Sequence, residues 1–151
     1  GLNNTAAALF SHGTEEQRRR FLPPIVRNEE KWCQLFSEPG AGSDLASLAT
    51  KAVPDGDDWV ITGQKFFSSN ASVASFFIVV AISDPDVPVH HGASTFLIPA
   101  GTPGLVIEAN HHLVGADPHE PGHSLVRYND VRVGADALLG EPGQGFLILQ
   151  T

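Results

Sequence analysis

The chain has 151 residues, of which 42% are hydrophobic and 17% are charged, and its formal net charge is −8 at pH 7. This length allows one ordinary domain, and the composition supports a hydrophobic core while excluding a disordered tail or a coiled coil. The acid excess argues against broad nucleic-acid binding, which needs clustered Lys and Arg, although backbone amides can still hold an anionic ligand. No apolar stretch is long enough to cross a bilayer.

The chain contains one cysteine, Cys33, and no methionine, not even at position 1. A single thiol cannot form an internal disulfide, which fits a reducing compartment. We therefore expect a cytoplasmic protein, or a mitochondrial or peroxisomal one if the source is eukaryotic. Because a natural chain starts with methionine, we also expect that residue 1 is not the native start.

Residues 1–30 are predicted to form short α-helices. Apolar residues recur at helical spacing from Leu2 to Phe10, and Gly13 is expected to end this first helix. The segment Thr14–Gln17 has the pattern of a capping box and is predicted to begin a second helix. We expect the pair Pro23-Pro24 to end it, because proline cannot donate the backbone hydrogen bond that a helix needs.

The sequence period changes after Lys31, where short apolar runs alternate with turns rich in Gly, Pro and Asp. This pattern predicts a mainly β protein, with an antiparallel β-barrel or sandwich preceded by short α-helices. From Gly143 the sequence turns apolar again and predicts the start of another helix. The expected strands cover residues 32–36, 45–53, 59–63, 76–82, 94–98, 105–109, 124–131 and 133, and residues 84–91 are expected to form a loop.

The segment Ser37–Asp44 is a glycine-rich loop that directly follows a predicted strand. Gly40 and Gly42 allow a sharp turn and a close approach of a ligand to the backbone. Ser43 adds a hydroxyl and an amide at the same corner, which can form a concavity that holds an anion. From the residues alone, an ordinary turn capped by Ser43 or Asp44 explains the same pattern and is favoured.

The segment Gly63–Asn70 places two aromatic residues before two hydroxyl residues. Phe66 and Phe67 offer a flat apolar surface, and Ser68 and Ser69 offer hydrogen-bond donors beside it. A planar heteroaromatic ligand needs this combination. A strand end with Phe side chains in the core and serines in a turn is again the favoured alternative when the segment is taken alone.

Seven histidines include the adjacent pairs His90-His91 and His111-His112. Adjacent side chains on a strand point to opposite faces, so neither pair is suited to chelate one ion. No Cys or carboxylate pattern completes a site, and we expect no metal. We expect His123 to contact a substrate. The sequence has no motif typical of nucleophilic hydrolysis, of nucleotide hydrolysis or of a Rossmann site.

Five stretches in order resemble segments of the acyl-CoA dehydrogenase family. Leu35–Asp44 closely resembles its flavin signature, and Ile61–Asn70 is similar to its second flavin segment at the expected distance downstream. Ser94–Val106, Tyr128–Val133 and Leu139–Phe146 are similar to three later segments. Five ordered resemblances are more specific than any one of them, and they favour ligand binding for both loops described above.

This resemblance implies a three-domain protein that binds FAD and removes hydrogens from the α- and β-carbons of an acyl-CoA. Residues 1–30 would end an N-terminal helical domain, residues 31–136 would form the middle β domain, and residues 137–151 would start a C-terminal helical domain. The family's catalytic carboxylate has no match here and is expected beyond Thr151, so these residues alone are expected to be inactive. Glu38 is expected to satisfy backbone groups in its loop.

The resemblance also implies roles for individual residues. Phe36 and Ser37 match residues that meet the flavin ring, the first through its backbone and the second through its hydroxyl. Gly42 and Ser43 match residues near the FAD pyrophosphate and the CoA end of the substrate.

Two further positions depart from the common family pattern. Phe67 stands where most members have a Trp that packs on the flavin. Ser69 stands where most have a Thr that bonds near the reactive ring nitrogen. These replacements imply an unusual substrate, for example a branched, long or hydroxylated acyl chain. The segment Asp117–Gly122 departs as well, which leaves the chain-length preference open.

The resemblance implies electron-transfer flavoprotein as the electron acceptor and a homo-oligomer of the full-length protein. An acyl-CoA oxidase or a flavin monooxygenase component of the same family is an alternative. A non-catalytic β domain that serves as a binding or scaffolding module is an alternative from another class.

Overall fold

The computed structural model of the protein describes residues 2–112, 114, 117 and 121–151. Two helices come first, α1 (Leu2–His12) and α2 (Glu15–Val26). The predicted capping box is confirmed, because the Thr14 hydroxyl accepts from the Gln17 backbone N–H at 3.1 Å and the Thr14 N–H donates to the Gln17 side chain at 3.0 Å. This reciprocal pair satisfies two backbone donors that a helix start leaves unpaired.

The prediction that Pro23-Pro24 ends α2 is wrong, since the helix continues to Val26. Neither proline donates a backbone hydrogen bond, but both lie in the last turn and their carbonyl groups still accept. The Arg27 N–H donates to the Pro23 carbonyl at 3.1 Å, and the Glu29 N–H donates to the Pro24 carbonyl at 2.9 Å. These two bonds close the helix after the prolines.

The described residues after α2 are mainly β, as predicted, and the strands belong to one sheet. The strands are β1 (Trp32–Leu35), β2 (Lys51–Asp55), β3 (Asp58–Ser69), β4 (Phe76–Ile82), β5 (Ala93–Pro99), β6 (Leu105–His111), β7 (His123–Val133) and β8 (Leu138–Leu139). Their order is β6-β7-β3-β2-β4-β5-β8, with β1 also paired to β4. Most neighbours are antiparallel, but β1 runs parallel to β4, and β2 makes a single parallel bridge to it.

Three segments differ from the predicted boundaries. Residues 45–53 were expected to be a strand, but Leu45–Ser47 forms a single 3₁₀ turn and β2 begins only at Lys51. The alanines and serine of this stretch favour a strand weakly, and the N–H of Ser47 bonds back to the Asp44 carbonyl at 3.2 Å. The expected loop at residues 84–91 ends in a short helix, α3 (Val89–Gly92). The strand expected at residues 59–63 extends from Asp58 to Ser69.

The core explains why β4 reads as a continuous apolar run. Its Phe77, Val79 and Ala81 face a cluster shared with β3 and β7, whereas Ile78 packs against Leu9 and Ile25 of the two N-terminal helices. Both faces of β4 are therefore buried. A short helix, α4 (Gly145–Leu149), starts where the apolar sequence predicted one. No helix among the described residues is long and apolar enough to cross a membrane.

Candidate functional site

The two loops singled out in the sequence are joined by a buried ion pair. The Lys65 ammonium on β3 lies 2.8 Å from the Glu38 carboxylate, and it also donates to the Phe36 carbonyl at 2.9 Å. Next to this pair, the Phe66 N–H donates to the Ser37 carbonyl at 2.8 Å. Together, these contacts hold the segment after β1 against the second half of β3.

Glu38 has a structural role, as expected from the sequence. Besides the Lys65 ammonium, its carboxylate accepts the backbone N–H groups of Ala49 at 2.7 Å and Thr50 at 3.0 Å. Charge-assisted hydrogen bonds of this kind are strong, and here they tie the far end of the glycine-rich loop to its beginning. A carboxylate occupied by three donors is not available as a general base.

The pair also shifts both pKa values. Burial lowers the pKa of Lys65 to about 8, although the Glu38 carboxylate acts in the opposite direction. Burial alone raises the pKa of Glu38, but the Lys65 ammonium and the bonds from Thr50 and Ala49 outweigh it, and the net direction is down. Glu38 is therefore held as the anion, and its charge is the main favourable partner of the Lys65 ammonium.

The second half of β3 is irregular where the aromatic residues occur. The register with β7 shifts between Lys65 and Ser68, and Phe67 at this bulge has a φ of 55°. This left-handed backbone is rare for a bulky side chain and is strained. The Phe67 ring is 61% exposed, whereas the half-buried Phe66 ring packs edge-on against His111 with ring centres 5.6 Å apart. The bulge thus turns an aromatic ring out of the core.

A cavity of about 320 Å³ opens beside this ring. Phe36, Ser37, Phe67 and Ser69, four of the six predicted cofactor residues, all line it. The remaining lining residues are Trp32, Cys33, Gln34, Phe66 and Asn70. The structure therefore brings an exposed aromatic ring and two serine hydroxyls together at one concave surface, the combination suited to a planar heteroaromatic ligand.

Gly42 and Ser43, the other two predicted cofactor residues, do not line this cavity. They lie on the exposed part of the loop, just after a tight turn in which the backbones of Glu38 and Ala41 bond to each other at 2.8 and 3.1 Å. A Cβ atom added at Gly42 would meet nothing within 4 Å. Neither packing nor a left-handed backbone demands glycine there.

Ser69 is fixed from two further sides. Its hydroxyl lies 2.9 Å from Nδ1 of His123, the residue opposite on β7, and its carbonyl accepts from the Cys33 thiol at 3.0 Å. Burial raises the pKa of Cys33 to about 12, so this thiol keeps its proton and remains a donor. His123 thus lies beside Ser69 on the neighbouring strand, and it is not among the residues that line the cavity.

Lys65 was missed in the sequence, although a signal for it was present. Along a strand, alternate residues share a face, and Lys65 lies on the same face as the buried Ile61. A lysine on the core face of a strand needs an anionic partner, because a buried unpaired charge is costly. Glu38, in the segment Ser37–Asp44, supplies this anionic partner.

A larger cavity of about 710 Å³ lies elsewhere, between α2 and the segment 132–141. None of the predicted site residues lines it, so its size does not make it the candidate site. Among the described residues, no three His, Cys, Asp or Glu side chains come close enough together to hold a metal ion.

Comparison with known proteins agrees with a flavin-type site on a β domain. The sequence profile of the family described as "Acyl-CoA dehydrogenase, middle domain" matches residues 33–131. The chain therefore belongs to the acyl-CoA dehydrogenase family.

Individual relatives cover nearly all of this chain. Acyl-CoA dehydrogenase FadE34 of Mycobacterium tuberculosis is 49% identical over 146 residues, which are 97% of this chain and 20% of the relative. The solved structure "Tcur3481-Tcur3483 steroid ACAD" is 35% identical with a TM-score of 0.92, over 99% of this chain and 38% of that one.

A third match is a chain in the solved structure described as the electron transferring flavoprotein of Acidaminococcus fermentans. It is 32% identical with a TM-score of 0.88, over 95% of this chain and 37% of that one. This chain thus spans between a fifth and two fifths of the length of these three relatives.

Proposed function

We propose that the protein carrying this chain is an FAD-dependent dehydrogenase that forms an α,β double bond in an acyl-CoA thioester. One observation carries the proposal: the buried Lys65–Glu38 pair joins two loops around a cavity lined by Phe36, Ser37, Phe67 and Ser69, in a chain of this family. The chain spans only part of its relatives, so the activity belongs to the whole protein. Within it, residues 1–30, 31–136 and 137–151 are assigned to the N-terminal, middle and C-terminal domains.

The residues present fit FAD. The exposed Phe67 ring offers a packing face for the isoalloxazine, and the Ser37 and Ser69 hydroxyls beside it offer hydrogen bonds to polar atoms at the ring edge. Gly42 leaves open space at its Cα, where the backbone can approach a pyrophosphate, and the exposed Ser43 can donate to it or to the CoA end of the substrate. When bound, the flavin supplies the hydride acceptor for the β-carbon.

The general base is assigned outside this chain. The only carboxylate in the glycine-rich loop before Asp44 is Glu38, which is buried and already accepts hydrogen bonds from Lys65, Ala49 and Thr50. Proton abstraction needs a group within hydrogen-bond reach of the substrate that is free to accept a proton. We therefore expect a carboxylate from sequence beyond Thr151 to take the α-proton.

The proposal includes a substrate class and partners. The solved structure described as a "steroid ACAD" matches almost the whole chain, which supports a ring-bearing acyl group. The match to a chain in an electron transferring flavoprotein structure supports that protein as the electron acceptor. The full-length protein is proposed to be a homo-oligomer in a reducing compartment such as the cytoplasm.

The test uses the intact protein, purified and assayed without oxygen. We expect a yellow protein with bound FAD whose visible flavin absorbance bleaches on addition of an acyl-CoA. A panel of short, long, cyclic and steroid-derived acyl-CoAs identifies the class, and reoxidation by electron-transfer flavoprotein rather than by oxygen separates a dehydrogenase from an oxidase. A colourless protein, or a flavin that no acyl-CoA bleaches, would overturn the proposal.

A further inference from the structure

The hydrogen bond between Ser69 and His123 lies at the edge of the cavity. Ser69 lines the cavity, and Ser69 Oγ is 2.9 Å from His123 Nδ1. The two residues are also register partners of β3 and β7, so the strands hold their side chains side by side on one face of the sheet. The imidazole thus contacts a hydroxyl that belongs to a residue of the cavity wall.

A serine hydroxyl has one proton, and the imidazole decides where that proton points. If Nδ1 of His123 carries no hydrogen, the Ser69 hydroxyl donates to it and presents only lone pairs to the cavity. If Nδ1 carries a hydrogen, it donates to Ser69 Oγ, and the hydroxyl proton is free to point into the cavity. The tautomer of His123 therefore determines whether Ser69 is a donor or only an acceptor toward the ligand.

We propose that His123 is a positioning residue whose Nδ1–H holds the Ser69 hydroxyl as a hydrogen-bond donor toward the flavin ring. This inference rests on the proposed function, because that function puts the ring in the cavity. It differs from the sequence expectation that His123 contacts substrate. The structure supports a role through Ser69, since Nδ1 of His123 lies 2.9 Å from Ser69 Oγ and Ser69 is the residue of this pair that lines the cavity.

The strands on either side of the pair determine its surroundings. His111 on β6 is the register partner of His123 on the other side of β7, and the Phe66 ring packs edge-on against His111. On β1, the Cys33 thiol donates to the Ser69 carbonyl and stays neutral, so it brings no charge to the pair. Within the part of the chain that the structure describes, His111 and Cys33 are the titratable groups that these contacts bring next to the pair.

Three variants of His123 in the flavin-loaded protein separate positioning from other roles. The side-chain amide of Asn can occupy the place of Nδ1, and that of Gln the place of Nε2, while Leu offers no polar group. We expect His123→Leu and His123→Gln to change the flavin absorption spectrum and midpoint potential in the same direction as Ser69→Ala. They should also slow flavin reduction by roughly threefold to tenfold, the effect of one neutral hydrogen bond.

His123→Asn should restore most of the flavin spectrum and most of the rate of flavin reduction. The double variant Ser69→Ala/His123→Leu should resemble Ser69→Ala alone, because the two residues act as a unit. In the flavin-free protein, ¹⁵N NMR should show Nδ1 of His123 carrying the hydrogen, and Ser69→Ala should redistribute the tautomers.

Each alternative has its own signature. If His123 contacts substrate instead, its variants raise KM for acyl-CoA and leave the flavin spectrum unchanged, which overturns the inference. If all three variants lower the melting temperature equally and Asn gives no rescue, the role is merely structural and the inference is also overturned. If Ser69→Ala itself leaves the flavin spectrum unchanged, the ring is not at Ser69, and it is the placement in the proposed function that fails.

Discussion

The two halves of β3 differ in the interactions that their side chains make. The first half, Asp58–Thr62, pairs regularly with β2 along its whole length and with β7 as far as Ile61, after which the register with β7 shifts. Its nearby ion pairs, from Arg132 to Asp55 and Asp58, lie on the surface. The second half, Lys65–Ser69, contains a buried ion pair, a bulge and an exposed aromatic ring with a left-handed backbone.

This difference separates residues that folding explains from residues that folding alone does not explain. Packing and pairing account for the first half, because Ile61 is buried in the core and the residues around it are half-buried or exposed members of a paired strand. They do not account for Phe67, whose ring is exposed and whose backbone is strained. Strain retained at an exposed residue is a feature of functional sites, and the cavity lies beside it.

Breaking the buried ion pair should have the largest effect. Lys65→Met leaves the Glu38 charge buried without its ammonium partner, and we expect a loss of about 3–5 kcal/mol in the free energy of unfolding. Urea denaturation of the purified protein measures it. The double variant Lys65→Met/Glu38→Gln should lose less than Lys65→Met, because no unpaired buried charge remains.

The surface pair at the other half of β3 is the matched control. Arg132→Ala removes both ion pairs of Arg132, which are exposed to water, and its effect on unfolding should be far smaller than that of Lys65→Met. Equal losses of unfolding free energy in Lys65→Met and Arg132→Ala would contradict the expected difference between the buried and the surface ion pairs.

Two glycines sharpen the comparison between fold and ligand. At Gly63, where φ is 152°, an added Cβ would lie 2.5 Å from Thr50 Oγ1, so Gly63→Ala should cost about 2–4 kcal/mol of stability through overlap and strain.

At Gly42, by contrast, an added Cβ meets open space, so Gly42→Ala should unfold like the wild type but bind FAD less tightly. Gly40→Ala, equally unhindered, is its control. Thermal unfolding measures the effect of Gly63→Ala, and an unchanged melting temperature would contradict that prediction. A flavin titration measures the effect of Gly42→Ala, and an unchanged affinity for FAD would contradict that one.

Ser43 tests the exposed part of the loop. Ser43→Ala in the full-length protein should weaken FAD retention or raise KM for acyl-CoA by about 1.5–3 kcal/mol, the value of a hydrogen bond to a charged group. Ser47→Ala is the control, because its hydroxyl donates to Asp44 within the same loop. Unchanged flavin occupancy and kinetics in Ser43→Ala would refute the assignment of Ser43.

The sequence predicted the mainly β fold because the apolar runs and turns of β4 and its neighbours are local signals. It also indicated Phe36, Ser37, Phe67 and Ser69, which the structure gathers at one cavity, through resemblance rather than physics. It did not predict the parallel placement of β1 beside β4, since the pairing joins residues more than forty positions apart. The bulge at Phe67 was missed for a similar reason, because it arises from the register with β7.

The buried lysine also predicts a pH dependence. Burial lowers the pKa of folded Lys65 to about 8 from 10.5, so between these values the unfolded chain binds more protons than the folded one. The free energy of unfolding should therefore rise with pH in this window, by up to about 1.4 kcal/mol per pH unit from this group. Cys33 and Tyr128, whose pKa values are raised by burial, act in the opposite direction.

The difference between wild type and Lys65→Met isolates the contribution of Lys65. Urea unfolding of both proteins at pH 8, 9 and 10 should show this difference growing with pH. A constant difference, together with an NMR titration midpoint for the Lys65 amine near 10.5, would show that the ammonium is not disfavoured by burial.

The smallest effect on stability is expected at Phe67, where the effect on the ligand should be clear. Asparagine tolerates a left-handed backbone far better than phenylalanine does, so Phe67→Asn keeps the bulge and removes only the ring. Because the ring is 61% exposed, the variant loses little burial, and its free energy of unfolding should match the wild type or exceed it by up to about 1 kcal/mol.

Flavin binding should respond in the opposite way. Losing one aromatic packing face should weaken FAD binding by roughly twofold to tenfold. Phe66→Asn is the comparison for stability: the Phe66 ring packs against His111 and is half-buried, so that variant should lose stability, and because Phe66 also lines the cavity its flavin affinity is not a control. Denaturation of both variants and flavin titration of Phe67→Asn should show a stable fold with weakened flavin binding if the bulge exists to present the Phe67 ring. If Phe67→Asn instead destabilises the fold and leaves flavin affinity intact, the ring serves packing, and the second half of β3 is determined by folding like the first.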